Sequence, residues 1–108
     1  MTISVKHWND ISDAPLTMAS IQDLHLPKEH YRFTKNGYAE RAHFISRLSV
    51  PVVIYVLEGT IKYTIGDEEI ILNAGDFAAF GPCDHICDVD ENGVKFINVY
   101  QLPEKLRK

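Results

Sequence analysis

Positive charge is in short supply in this chain: 11 Lys and Arg stand against 15 Asp and Glu, a formal net charge of −4. That balance argues against nucleic acid as a partner, because nucleic acid selects basic patches. The basic residues are scattered, and the one dense group, Lys105, Arg107 and Lys108, reads as a solvated tail. Long apolar runs are missing as well. The longest, Val50 to Leu57, is far too short for a membrane helix and suits a buried strand. Met1 to Asp10 carries no apolar stretch of the secretory kind. The expected location is the cytoplasm, with no membrane partner. Cysteine is scarce: Cys83 and Cys87 are the only two. On one extended strand their Cα atoms stand roughly 13 Å apart. A disulfide needs less than about 7 Å, so the spacing disfavours a bridge and agrees with a reducing compartment. Neither a Gly-x-Ser-x-Gly elbow nor a phosphate-cradling glycine loop occurs. There are no repeats and no low-complexity tracts, and no long helical pattern separates the apolar runs, which excludes a parallel βαβ sheet.

What the sequence does have is a train of short apolar runs separated by turn signals. The 108 residues point to one domain, and 45% of them are hydrophobic, enough for a core. From Arg41 onward the strands read clearly. Pro51 to Leu57 is rich in Val, Ile and Tyr, and Glu58-Gly59 breaks it. Thr60 to Ile65 alternates, with Ile61, Tyr63 and Ile65 facing the core. Strands follow at Glu69 to Leu72, Asp76 to Phe80, His85 to Val89 and Val94 to Leu102, with turns at Gly66-Asp67, Asn73-Ala74-Gly75, Gly81-Pro82 and Asp90 to Gly93. In the last strand Val94, Phe96 and Asn98 share one face. Short strands at this spacing predict an all-β sandwich or barrel, with its core over about residues 40–102. Residues 1–39 are expected to add extra strands or a short helix. Ile3, Val5 and Trp8 suggest a strand, Asp13 caps a helix with Pro15 in its first turn, and Asn36-Gly37 marks a turn.

Tyr55 to Gly59, Ile61, Tyr63, Gly66, Ile71-Leu72, Gly75-Asp76 and Pro82 to His85 together resemble the middle of a cupin barrel. The resemblance covers roughly residues 40 to 100. It implies a small jelly-roll barrel, also described as a double-stranded β-helix, with a ligand or metal site in its mouth. Metal-binding cupins carry a His-x-His pair and a Glu in their first motif. In the family's spacing before Gly59, those positions fall on Ser46, Leu48 and Val52, so all three ligands are missing. The His that ends the second motif carries over to His85, with the loop after Gly75 one residue shorter.

Several residues are candidates for chemistry. His43 and His85 form the best pair, as acid and base or as ligands of a weakly bound divalent metal, since a neutral imidazole suits Zn, Fe, Ni or Cu. An irregularity at Pro51 would bring His43 near a ligand position, with Arg41 on the same face. Cys87 shares a face with His85. His30 or Cys87 could complete a rebuilt ligand set. Arg41 and Arg47, with Tyr31, Arg32 and Tyr38, could hold an anion through the guanidinium fork. Tyr55 and Tyr63 are candidates to line a substrate pocket, although aromatic residues in such strands commonly serve the core.

Three functions fit these features. One is a barrel that binds a small polar, possibly anionic, molecule in its mouth, with or without turnover. The second is a non-catalytic sensor or accessory module, favoured by the absent first-motif ligands. The third is a metal-dependent isomerase or oxygenase with a rebuilt ligand set. A homodimer is expected, because Pro51 to Leu57 is apolar on both faces. Val52, Ile54 and Val56 point one way and Val53, Tyr55 and Leu57 the other, and the second face needs cover.

Overall fold

Strand alternation and glycine together set the architecture, which a computed structural model describes for residues 3–106; Arg107 and Lys108 of the basic tail lie outside them. The strands run β1 (Lys6–His7), β2 (Tyr31–Tyr38), β3 (Ala42–Leu48), β4 (Val52–Ile65), β5 (Glu68–Asn73), β6 (Asp76–Phe80) and β7 (Cys83–Gln101). One short helix, α1 (Met18–Leu24), precedes β2. All pairings are antiparallel, in the order β1-β6-β4-β7-β2, with β3 on β7 and β5 on β4. No helix among the described residues is long and apolar enough to cross a membrane.

One of the expected breaks is not a break. Glu58-Gly59 does not end a strand: β4 runs on through it beside β7, with register shifts at Val56/Glu58 and Gly59/Ile61. Asp90 to Gly93 does leave the ladder, as an excursion within β7 that has no partner on β4 and returns to it at Val94. Gly59 and Gly93 both take positive φ, at 80° and 78°. A Cβ on Gly59 would collide with the Gly93 carbonyl oxygen, and one on Gly93 with the Tyr38 carbonyl oxygen. These glycines allow a bulge that bends both strands where three backbones meet. Asn36-Gly37 likewise lies inside β2, where Gly37 pairs with Lys95.

The helix also starts later than the sequence suggests. Thr17, not Asp13, is the N-cap, and its hydroxyl accepts from the Ser20 backbone N–H at 3.2 Å. That satisfies one of the donors a helix start leaves open. The Trp8 indole donates to the Ala14 carbonyl at 2.7 Å and fixes the loop before it.

The core divides in two, as the two apolar faces of β4 require. Val52, Ile54 and Val56 point into the barrel beside Ile61, Leu72 and Phe96. Tyr55 points the other way, into a second cluster with Trp8, Ile21, Phe77, Ile97 and Val99. The cover that this second face needs, from a neighbouring part of the fold or from another copy of the chain, comes in part from the chain's own N-terminal segment. Ile21 of α1 is fully buried there. His25 Nε2 and the Tyr55 hydroxyl are joined at 2.8 Å.

The bend yields a paired prediction. Gly59→Ala meets backbone as well as an unfavourable φ and is expected to cost about 2–3 kcal/mol. Gly66→Ala, at φ 60° with open space around it, should cost only about 1 kcal/mol. Urea denaturation of both variants checks this, and equal losses would show that the close approach at Gly59 carries no energy.

Candidate functional site

Strand β7 places the site. Its alternation sends His85, Cys87 and Val89 into the barrel, while Ile86 goes to the other face opposite Ile45. The loop shortened before His85 therefore leaves the register intact. Further along the same strand, Asn98 also faces inward, across from Ile54 on β4 and Thr34 on β2. His85, Cys87 and Asn98, together with Ser46, Tyr63 and Tyr100, line a cavity of about 190 Å³ inside the barrel. At ~30 Å³ per water that is room for about six waters, or for one small molecule.

His85 packs between two rings, with the Tyr63 and Phe80 centroids each 5.6 Å away. Its Nδ1 is buried and has no hydrogen-bond partner of good geometry. The amide of Asn98 donates to the Tyr100 hydroxyl at 2.9 Å, which leaves its Oδ1 buried and unpaired. Turning the amide over would exchange the two atoms and still leave one without a partner. Orphaned polar atoms cost about 1–3 kcal/mol each, so two around one cavity are a specific feature.

Apart from Arg47 at the rim, the cavity is lined by side chains that are uncharged near neutral pH. Burial lowers the pKa of His85, opposed in part by the Cys83 carbonyl and the Asp84 carboxylate. Burial pushes the Cys87 thiol up to about 12 and raises the Tyr63 and Tyr38 phenols. Cys87 is a protonated thiol rather than a reactive thiolate.

The other candidates lie elsewhere. His43 is a correction: it stands on the outer face of β3, its Nδ1 bonded to the Asp88 carboxylate. Arg41 does share its face but is equally outside, paired with Glu91. The reason is register: Ala42, Phe44, Ser46 and Leu48 take the inside of β3, and Pro51 does not shift that alternation. Arg47 sits at the rim, exposed and bonded to Asp84 at 2.9 Å. Tyr55 is a second correction, since it belongs to the outer cluster and not to the cavity. Tyr63 and Cys87 do line the cavity, as does Tyr38; Tyr31 packs with the outer cluster. His30 lies outside the cavity, in a 3-10 turn before β2.

A metal fits these residues poorly. Ser46, Leu48 and Val52, at the first-motif positions, do line the cavity, but none offers a good ligand. With His43 outside, the inner face keeps His85 and a protonated Cys87. Among the described residues no group of three His, Cys, Asp or Glu side chains gathers to hold an ion. Asn98, Ser46 and Tyr100 were not among the candidates read from the sequence. The signal for Asn98 was a polar residue on the apolar face of Val94 and Phe96.

A small antiparallel barrel with an inward polar cavity defines the class of protein. A cupin-domain family model matches residues 48–99, and the chain belongs to the cupin superfamily. Solved structures share the fold. An HTH_3 family transcriptional regulator from Vibrio cholerae is 20% identical with a TM-score of 0.62, over 70% of this chain and 45% of that one. The EutQ protein of Clostridium difficile is 14% identical with a TM-score of 0.61, over 94% and 69%. A protein of unknown function from Rhizobium leguminosarum is 15% identical with a TM-score of 0.61, over 86% and 100%. The chain thus spans less than half of the Vibrio regulator's length. No curated protein matches the sequence.

Acid should weaken the fold through His85. A ring whose folded pKa lies below its ordinary value of 6.5 binds fewer protons folded than unfolded. Its contribution is complete above about pH 6.5 and is lost as pH falls through the lower, folded value. His25, also lowered by burial, acts in the same direction. The melting temperature should fall as pH drops below about 6.5, with a shallower slope in His85→Gln. An unchanged slope in that variant would assign the effect to other groups.

Proposed function

We propose that the barrel binds a small, uncharged polar molecule in its inner cavity. The observation that carries this reading is that two residues lining one cavity, His85 and Asn98, each keep a buried polar atom, Nδ1 and Oδ1, without a hydrogen-bond partner. A hydroxyl or amide group both donates and accepts, so it serves either tautomer of the imidazole and either orientation of the amide. No cationic side chain reaches deep inside, so the inner cavity favours a neutral group over an anion. Binding without turnover is the reading we adopt. Of the cavity's polar groups, His85 alone has an ordinary pKa near neutrality, and it has no second acid or base beside it for general acid–base chemistry. Such a module suits a sensing or accessory role. The two free thiols, Cys83 and Cys87, suit a reducing cytoplasm. Pairing with a second copy would use the outer groove at Val53, Ala79 and Val99, beside His25, which the N-terminal segment leaves open.

A thermal-shift screen of neutral polyols, sugars and amides against carboxylates tests the binding. A neutral ligand at a hundred times its Kd should stabilise the fold by about 2.7 kcal/mol, or roughly 10 °C for a domain of this size. Asn98→Leu should abolish that shift while raising the stability of the unliganded protein by about 1 kcal/mol, because it removes a buried unpaired atom. Loss of binding together with a gain in stability is a signature that a purely structural Asn98 would not give. If no neutral compound shifts the transition, or if the shift survives Asn98→Leu, the reading is wrong.

A further inference from the structure

The inner cavity is not closed. A second hollow, of about 470 Å³, adjoins it and shares Asn36, Arg47, Leu48 and Tyr100 with its wall. The two spaces differ in chemistry. The inner one is neutral in its interior, lined there by buried phenols, a thiol and an imidazole, and meets Arg47 only at its rim. The outer one has an apolar flank at Val50, Leu102 and Leu106; among the described residues its charged side chains are Arg32 and Arg47, and no carboxylate lines it. Arg47 is already bonded to Asp84. Arg32 has no carboxylate partner among the described residues.

Strand β2 connects the two spaces. Tyr31 and Phe33 turn to the outer cluster, which leaves Arg32, Thr34 and Asn36 on the other face. Across the β2–β7 ladder these three stand opposite Tyr100, Asn98 and Phe96. A polar ladder thus leads from the Arg32 guanidinium at the mouth to Asn98 inside, with Leu48 and Val50 along its side.

We infer that the ligand is elongated and carries its charge at one end: a neutral hydroxyl or amide end in the inner cavity, a short apolar stem past Leu48 and Val50, and an anionic oxygen group at Arg32. The inference rests on the binding reading above and names the class of molecule that reading left open. A guanidinium binds carboxylate and phosphate by the same bidentate fork, so either group meets the requirement. An anion placed deeper would lose its water without a cation to meet it. An anion at the mouth keeps water on one side, so its contribution is that of an exposed pair and is screened by salt.

Calorimetric titration with three matched probe series decides the point: ω-hydroxy carboxylates of increasing length, the matching ω-hydroxyalkyl phosphates, and the matching diols. For a stem of the right length, one of the anionic series should bind roughly fivefold tighter than its diol at low salt, the range of an exposed ion pair. Arg32→Gln should remove that advantage and leave diol binding unchanged, and added sodium chloride should erode it in the native chain. Asn98→Leu should weaken all three series alike. The carboxylate and phosphate arms tell which anion is preferred. Diols that bind through Asn98 with no gain from an anion would overturn the inference while leaving the inner-cavity reading in place. So would a gain that survives Arg32→Gln. Anionic probes that depend on Arg32 but are indifferent to Asn98→Leu would instead remove the inner-cavity reading. Failure of every probe in these series overturns the elongated, anion-ended ligand, and the neutral-compound screen then judges the cavity separately.

Discussion

The ladder between β4 and β7 is the interaction on which everything else hangs. Strands β2 and β3 pair only with β7, and β5 only with β4; β6 joins through β4 and carries β1 on its far edge. Each of the two long strands must therefore serve two neighbours in succession, and it can do so only by bending midway. The bulge at Gly59 and Gly93 supplies that bend. It lets β7 pair with β3 along Cys83 to Val89 and then with β2 along Val94 to Gln101. One strand thereby presents His85 from its first half and Asn98 from its second half to the same cavity. A straight strand would hold side chains thirteen residues apart at roughly 40 Å. The polar pair of the site is a product of the bend.

Much of this was legible in the chain because alternation is a local signal. The apolar beat of Thr60 to Ile65 and the two-faced run of Pro51 to Leu57 gave strands where strands exist, and the inward turn of His85 followed from its position after Gly81-Pro82. Gly59 and Gly93 were less legible. A glycine between two strand-like runs marks a turn or a bulge equally well, and the difference lies in whether a partner strand continues alongside, which local sequence does not carry. The face of β3 was ambiguous for a related reason. His43, Ile45 and Arg47 alternate with Phe44, Ser46 and Leu48, and each set holds apolar and polar members. The choice went to the side that buries Phe44 and Leu48, which leaves Ile45 three-quarters exposed. The N-terminal cover had no periodicity to read, since Trp8, Leu16, Met18 and Ile21 reach the outer cluster from a 3-10 turn, a loop and a single short helix.

The departures from the metal-binding pattern of the superfamily are consistent with one another. Replacing ligands by Ser46, Leu48 and Val52 would leave a lone charged His stranded in a dry barrel. Burial resolves this by lowering the pKa of His85, so that the ring is neutral and serves as a hydrogen-bonding group instead. The thiol of Cys87 and the phenol of Tyr63 are held neutral by the same desolvation. The positions that hold a cation in metal-binding cupins are here occupied by uncharged side chains.

That neutrality carries a cost which argues for use. The apolar neighbours of Asn98 on its own face, Val94 and Phe96, show that the barrel readily accepts apolar residues there. An apolar residue of similar volume at position 98 would spare the fold an unpaired amide atom. Asn98 also forms its one bond to Tyr100, a residue that itself lies on the boundary between the inner and outer spaces. That bond leaves the amide oxygen of a cavity-lining residue buried and without a partner. Together with the buried Nδ1 of His85, this amounts to local destabilisation concentrated where a small molecule fits, the pattern expected when stability is traded for binding.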